Sequence, residues 1–220
     1  ILFDLRLGDA AARPDARMAY AACQQATAGP FLEGCVGAGT GATLGKLFGI
    51  SQAMKSGLGS AALEVPGGVK VAALVAVNAF GDVRDPATGV LLAGARQAPD
   101  SHRLADTAAS MRRGIRPRGY RPENTTLAVV ATNARLTKLQ ATKLAQTAQH
   151  GLVRAVIPVH TTLDGDLVIS LATGEVEAEP DILGVAAAEV VAEAIVRAVK
   201  AATSLGGLPA WGDLTRRVRE

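Results

Sequence analysis

The apolar positions of the chain change period along its length, and the changes mark its elements. From Asp15, DARMAYAACQQAT has apolar residues at helical spacing behind a capping aspartate, and Gly29-Pro30 closes the helix it predicts. A stretch from GCVGAGTGATLGK to SGLGSAAL follows, too rich in glycine for a helix interior. Residues 69–80, VKVAALVAVNAF, are apolar at nearly every position and predict a buried strand, and GDVRDPATGVLLAG returns through a Pro/Gly turn toward a second. Residues 93–124 read as a polar connection with short helix at most. The order then repeats: a strand TTLAVVATN from Thr125, a helix from Thr137 to His150 stopped by Gly151, an apolar segment RAVIPVH, a strand DLVISLAT, and a long helix capped by Asp181 after Pro180. Helices with one buried face, set against strands apolar on both, predict an α/β fold layered helix, sheet, sheet, helix: a four-layer αββα sandwich.

Composition narrows what such a fold can do. The chain has 220 residues, 49% hydrophobic and 20% charged, enough to bury one sizeable core. Aromatic residues make up only 3%, so small aliphatic side chains must fill that core and platforms for stacking bases are scarce. The net charge of +3 is modest, and the basic residues are dispersed except for Arg112, Arg113, Arg116, Arg118 and Arg121 before Asn124. That cluster reads as a solvated, mobile loop, with phosphate binding as the alternative. No run reaches the ~20 apolar residues that span a bilayer, and the apolar helix 182–202 is interrupted by Glu189, Glu193 and Arg197. Neither nucleic acid nor membrane is an expected partner. The opening ILFDLRLGDA has no initiator Met and no secretory signal, and is expected to continue from chain upstream. Cys23 and Cys35 lack CxxC spacing and lie far in sequence from His102, His150 and His160, so no zinc pattern appears and buried, reduced thiols in a cytoplasmic protein are expected.

Three places carry candidate chemistry. In RPENTTLAVV, Thr125 and Thr126 open an apolar strand after Asn124. Threonine suits a strand sterically; alternatively Thr125 becomes a new N-terminus, with its hydroxyl and freed α-amine as the site of an N-terminal-nucleophile hydrolase. In HTTLDGDLVIS, Asp164 and Asp166 flank a glycine. This is a tight turn, or a carboxylate pair that orients a hydroxyl or ammonium. In AVNAFGDV, Asn78 ends an apolar strand, where a buried amide must be satisfied and one aimed at a cleft can bind an oxyanion. The glycine stretch is a poor phosphate cradle. Gly37 to Ala42 fit GxGxxA loosely without a preceding strand, and the Walker spacing fails because Thr40 stands five residues before Gly45 and Leu47 follows Lys46.

Taken in order, GAGTGATLGK, AMKSGLGSAAL, VNAFGDVRDPATG, NTTLAVVATNARLTK and PVHTTLDGDLV resemble the L-aminopeptidase/D-esterase family of self-processing hydrolases, which includes β-peptidyl aminopeptidases and nylon-type aminohexanoate-oligomer hydrolases. The resemblance spans nearly the whole chain. It implies an αββα sandwich similar in architecture to N-terminal-nucleophile hydrolases, with no metal or organic cofactor. It implies cleavage between Asn124 and Thr125, giving a larger chain, residues 1–124 with a further leading segment, and a smaller chain, residues 125–220, which together form one domain. Thr125 is then the nucleophile, Asn78 an oxyanion donor, Lys46 the active-site lysine, and Asp164 and Asp166 the pair that orients the nucleophile and its amine. Phe3 occupies a position where relatives carry a substrate-side Tyr. The aminopeptidase branch typically has Ser, Ser and Glu where this chain has Thr125, Asp164 and Asp166, so the set is closer to the nylon-oligomer branch. Small peptides or oligoamides are the implied substrates, and a homo-tetramer of processed pairs the implied assembly.

The chemistry of a threonine nucleophile fits these roles. Its hydroxyl needs a base, and a free α-amine with a pKa of ~8 can serve near neutral pH. Before cleavage that amine is an amide, so Asp164 or Lys46 must position the hydroxyl against the Asn124 carbonyl, and an N-to-O acyl shift followed by ester hydrolysis releases it. Two other classes remain open: an acyltransferase like the ornithine acetyltransferases, which passes the acyl group to an amine, and a non-enzymatic binding module using the arginine cluster.

Overall fold

The computed structural model describes residues 2–5, 7–118 and 124–216. In chain order the elements are α1 (Ala16–Gln24), β1 (Thr43–Leu44), β2 (Met54–Lys55), β3 (Leu58–Val65), β4 (Val69–Asn78), β5 (Asp82–Arg84), β6 (Leu91–Ala93), α2 (Thr107–Arg112), β7 (Thr125–Ala134), α3 (Lys138–Ala155), β8 (Val156–Ile157), β9 (Leu167–Val176), α4 (Pro180–Ala201) and α5 (Trp211–Arg216). The main sheet runs β3-β4-β7-β9, a short sheet β6-β5-β8, and β1 pairs with β2. β3, β4 and β7 are antiparallel neighbours, whereas β7 and β9 are parallel. A parallel pair needs a crossover, and α3 supplies it.

α3 and α4 lie on one face of the main sheet. α4 is apolar on nearly all sides and packs on β3, β4 and α3, burying Leu183, Val191, Ile195 and Val199 completely. α3 starts from a reciprocal cap, in which the Thr137 hydroxyl accepts from Gln140 N–H and the Gln140 side chain accepts from Thr137 N–H. The helix expected to stop at Gly151 instead runs through it to Ala155, because Gly151 is where α3 presses on α4: a Cβ there would lie 2.5 Å from the Ala188 carbonyl oxygen. α4 begins two residues earlier than expected. Glu179 is its N-cap, Pro180 takes the first turn, and Asp181 sits in that turn as a favourable charge and not as the cap. Most of β3 lies in the stretch read only as glycine-rich; Gly59 lets it pass beneath α4, with the Ala194 oxygen 2.2 Å from where a Cβ would stand.

The opposite face of the sheet is apolar too. Across the strands, Leu58, Ala76, Leu127 and Leu167 form one row, Leu74, Val129 and Ile169 with Ser60 a second, and Ala62, Ala72, Ala131 and Leu171 a third. Leu74, Leu167, Ile169 and Leu171 are exposed there. The described residues thus build one helical layer and its sheet, and the sheet is apolar on both faces, as the inner sheet of an αββα sandwich must be. Among the described residues no helix is long and apolar enough to cross a membrane. The two cysteines are free, but neither is buried: Cys23 is exposed on α1, a helix with no buried residue, and Cys35 is half-buried. Small domains of apolar sequence do bury free thiols, yet here both fall in loops and a helix that lie outside the core.

Candidate active site

The β4–β7 ladder sets the centre of the site. Asn78 is the last residue of β4 and Thr125 the first of β7, and they are register partners. Their side chains continue the apolar face beyond Ala76 and Leu127, and both residues are buried. Two loops close over this end of the sheet: residues 39–46, and the turn 158–166 that leads into β9.

Thr125 Oγ1 donates to its own neighbour, the Asn124 carbonyl oxygen, at 2.6 Å. The Gly165 N–H donates to the same oxygen at 2.8 Å. The bond between Asn124 and Thr125 therefore has a hydroxyl against it and a carbonyl already polarised by a backbone donor. Asn124 is fixed on both sides, forming an isolated parallel bridge with Asp164 and donating from Nδ2 to the Leu163 oxygen at 2.9 Å. Its own Oδ1 is buried with no hydrogen-bond partner among the described residues, an unfavourable arrangement beside the peptide bond in question. Gly165 was not singled out by sequence beyond its place in the turn. Its signal is the lack of a side chain, since a Cβ there would lie 3.2 Å from Thr125 Oγ1.

The Asn78 amide is oriented by its surroundings. Oδ1 accepts from Lys46 Nζ at 2.7 Å, from Thr43 N–H at 3.1 Å and from the Thr43 hydroxyl at 3.2 Å. Nδ2 donates to the Phe3 carbonyl oxygen at 3.1 Å. Lys46 also donates to the Asn78 main-chain oxygen at 3.2 Å. With only donors around Oδ1, the amide cannot flip without losing them, and its NH2 is held ready for a carbonyl. The main chain of Phe3 occupies that donor here, so Phe3 enters the site through its backbone, while its residue also lines the cleft.

The loop that brings Thr43 and Lys46 to Asn78 depends on two features. Gly45 has φ +71° and passes so close to Gly94 and Ala95 that a Cβ would collide with their backbone. Lys55, fully buried, donates to the Thr40 oxygen at 2.9 Å and the Ala42 oxygen at 2.6 Å, and burial pushes its pKa down. The glycines thus serve close backbone approach, and the buried lysine ties the loop from beneath. Sequence reading passed over Lys55, because a lysine in a polar, glycine-rich stretch looks solvated.

Asp164 and Asp166 are both drawn into the site. Asp164 Oδ1 accepts from Phe80 N–H at 3.0 Å, and Oδ2 from the Thr161 N–H at 3.1 Å and hydroxyl at 2.6 Å. Burial pushes its pKa up, against those donors, and the charge of Asp166 adds to the rise. Asp166 Oδ1 accepts from the Thr126 N–H at 2.7 Å. The pair therefore holds the backbone on either side of the Asn78–Thr125 step, Phe80 and Thr126, while the Thr125 hydroxyl turns to Asn124.

A small cleft opens onto this assembly, lined by Phe3, Thr43, Lys46, Phe80, Arg118 and Asn124 among others. Arg118, at its mouth, stands 5.9 Å from the Phe48 ring centre; of the arginine cluster it is the member that reaches the site, and Arg121 lies outside the described residues. Among the described residues no group of three His, Cys, Asp or Glu could hold a metal ion.

The model of peptidase family S58 matches residues 2–210. An uncharacterized aminopeptidase of Mycobacterium leprae is 36% identical over 96% of the chain and 62% of its own length. A 6-aminohexanoate-oligomer endohydrolase of Kocuria sp. is 26% identical over 91% of the chain and 60% of its own length. The chain thus spans less than two thirds of the length of these curated relatives. Among solved structures, the L-aminopeptidase D-Ala-esterase/amidase of Ochrobactrum anthropi, described as a variant of the Ntn hydrolase fold, superposes with a TM-score of 0.62 at 22% identity, covering 93% of the chain and 57% of that structure. This likeness establishes the α/β sandwich fold.

Proposed function

Because the chain belongs to peptidase family S58, we propose that it is an autoprocessing N-terminal-nucleophile amidohydrolase in which Thr125 is first cleaved free of Asn124 and then attacks substrate amides. The observation that carries this reading is the Thr125 hydroxyl 2.6 Å from the Asn124 carbonyl oxygen, with the Gly165 N–H on the same oxygen. In self-cleavage Thr125 Oγ1 adds to the Asn124 carbonyl carbon, its proton passes to the departing Thr125 nitrogen, and Gly165 supports the oxygen that gains charge. Water then hydrolyses the resulting ester. The products are a chain that ends at Asn124 and one that starts at Thr125, and the second begins with a free amine that can serve as base for its own hydroxyl.

In turnover the substrate carbonyl replaces the Phe3 carbonyl at Asn78 Nδ2, Thr125 Oγ1 adds to its carbon and gives its proton through the α-amine to the nitrogen of the breaking amide bond, which leaves as the amine; water then hydrolyses the acyl-enzyme ester, releasing the acid and restoring the hydroxyl. Lys46 keeps the amide in the donating orientation. Small peptides and oligoamides of the aminohexanoate type are the proposed substrates. The threonine nucleophile with two aspartates supports the oligoamide branch, as does the similarity to the Kocuria endohydrolase, while the higher identity to the Mycobacterium leprae aminopeptidase supports the alternative of an aminopeptidase/D-esterase with exo specificity.

Intact mass under denaturing conditions, with N-terminal sequencing, tests the reading. A fragment beginning TTLAVV, together with hydrolysis of aminohexanoate oligomers, small peptides or β-peptides, is the expected result. A chain that stays uncut through long incubation and hydrolyses none of these overturns it. Native mass of the same sample reads whether the processed pair assembles into the tetramer that the family resemblance implies.

A further inference from the structure

His160 has no part in the roles assigned above, yet its placement is unusual on two counts. Its backbone is left-handed, φ +52°, a conformation that a non-glycine residue keeps only where its surroundings enforce it. That backbone turns two nitrogens of one residue onto a single oxygen. Nδ1 lies 2.9 Å from Asp166 Oδ2, and the His160 main-chain N–H donates to the same atom at 3.3 Å. The Asp166 side chain is 2% exposed and the His160 side chain 38%. A carboxylate only accepts, so the neutral imidazole carries its proton on Nδ1.

Asp166 is thereby held at both ends. Oδ1 takes the Thr126 N–H at 2.7 Å, one residue past the proposed nucleophile, and Oδ2 takes the two donors of His160. With Thr126 alone, the carboxylate could rotate about its terminal torsion and carry Oδ2 elsewhere. It also lies near a second buried carboxylate, Asp164, whose pKa is raised by burial and further by the charge of Asp166, so a donor on Asp166 Oδ2 offsets the repulsion between the two side chains.

We infer that His160 is a positioning residue, which fixes the Asp166 carboxylate against the Thr126 amide and so holds the start of β7 in register for the Thr125 hydroxyl. The inference rests on the reading of Thr125 as the nucleophile. The ring acts through Asp166 and does not touch the reacting atoms.

Two substitutions separate the ring from the backbone it sits on. His160→Gly keeps the left-handed backbone at no steric cost and removes the Nδ1 donor. His160→Asn also tolerates that backbone and returns an N–H donor on a short side chain. With a chromogenic alanine anilide as substrate, the glycine variant is expected to lose about tenfold in kcat and in self-cleavage rate, the size of one charge-assisted hydrogen bond, with KM nearly unchanged. The asparagine variant is expected to recover most of that loss. In the wild type, nitrogen–proton correlation NMR is expected to find the neutral ring protonated at Nδ1.

A glycine variant as fast as wild type, an asparagine variant as slow as glycine at equal thermal stability, or a ring protonated at Nε2 overturns the inference. A wild-type chain that neither cuts itself nor hydrolyses amides overturns the Thr125 reading and the role of His160 with it. An active wild type with an unaffected glycine variant overturns the role of His160 alone.

Discussion

Asn78 and Thr125 face each other across the β4–β7 ladder, one the last residue of its strand and the other the first. The pairing places a hydroxyl and an amide donor side by side on rigid backbone, without relying on a loop to bring them together. If Thr125 is the nucleophile in both self-cleavage and turnover, Thr125→Ala yields a full-length chain with no amide hydrolysis, while Thr125→Ser retains both. Denaturing mass spectrometry separates the outcomes, and a cleaved Thr125→Ala chain would sink the mechanism.

Asn78 is expected to matter most in the chemical step. Removing one oxyanion donor costs about 10²–10³ in kcat, so Asn78→Ala should fall in that range with a smaller change in KM. A variant that changes KM alone would instead mark Asn78 as a contact of the ground state.

Lys46 is expected to act through Asn78, because its amine donates to Asn78 Oδ1 at 2.7 Å. Lys46→Met leaves the apolar stem and removes the donor, with an expected loss of about tenfold, comparable to a hydrogen bond from a charged group. Contacting residues that serve one function are not additive. The double variant Lys46→Met with Asn78→Ala should therefore be no slower than Asn78→Ala alone. Losses that multiply would show that Lys46 has a separate task.

Gly165→Ala tests the self-cleavage step. The added Cβ lies 3.2 Å from Thr125 Oγ1 and 3.8 Å from the Asn124 oxygen, tight enough to displace the hydroxyl by a few tenths of an ångström. Cleavage should slow by about tenfold, in keeping with the sensitivity of such steps to small misplacement. Unchanged cleavage kinetics, followed by denaturing gel over time, would remove Gly165 from the mechanism.

The long strands and helices were legible because their apolar period is plain: β4 and β7 are each ten residues long and rich in valine and alanine. β3 was not, because the glycine that lets it pass under α4 is also the residue that argues against regular structure. Gly151 misled for the same reason, since its missing side chain serves the contact between α3 and α4 and does not end a helix. Of the site, Thr125, Asn78, Lys46, Asp164 and Asp166 were visible as motif positions, but their partners were not. The sequence offers no hint that Lys46 reaches Asn78, 32 residues away, or that His160 adopts positive φ six residues before the aspartate it binds. Those facts are set by strand register and loop closure, which spacing along the chain does not reveal.

Asp82 carries the pH dependence of stability that the structure implies. The residue is fully buried beside the site, two positions after Phe80, and accepts from Ala95 N–H at 2.9 Å and from the Thr107 N–H and hydroxyl, each at 2.6 Å. Burial outweighs those donors and pushes its pKa up to about 6. An unfolded aspartate titrates near ~3.9, so between about pH 4 and pH 6 the folded chain holds a proton that the unfolded chain has lost. The stabilisation from this group is complete below about pH 4 and is lost as pH rises through about 6, a swing of up to about 3 kcal/mol for two pKa units. Asp82→Asn cannot titrate and costs a roughly constant amount, because its NH2 meets donors where the carboxylate accepted. Urea denaturation of both proteins from pH 4 to pH 7.5 should find the advantage of wild type over Asp82→Asn shrinking across pH 4–6 and level above about pH 7. An advantage that grows with pH in that window would mean that the three donors keep Asp82 ionised in spite of its burial.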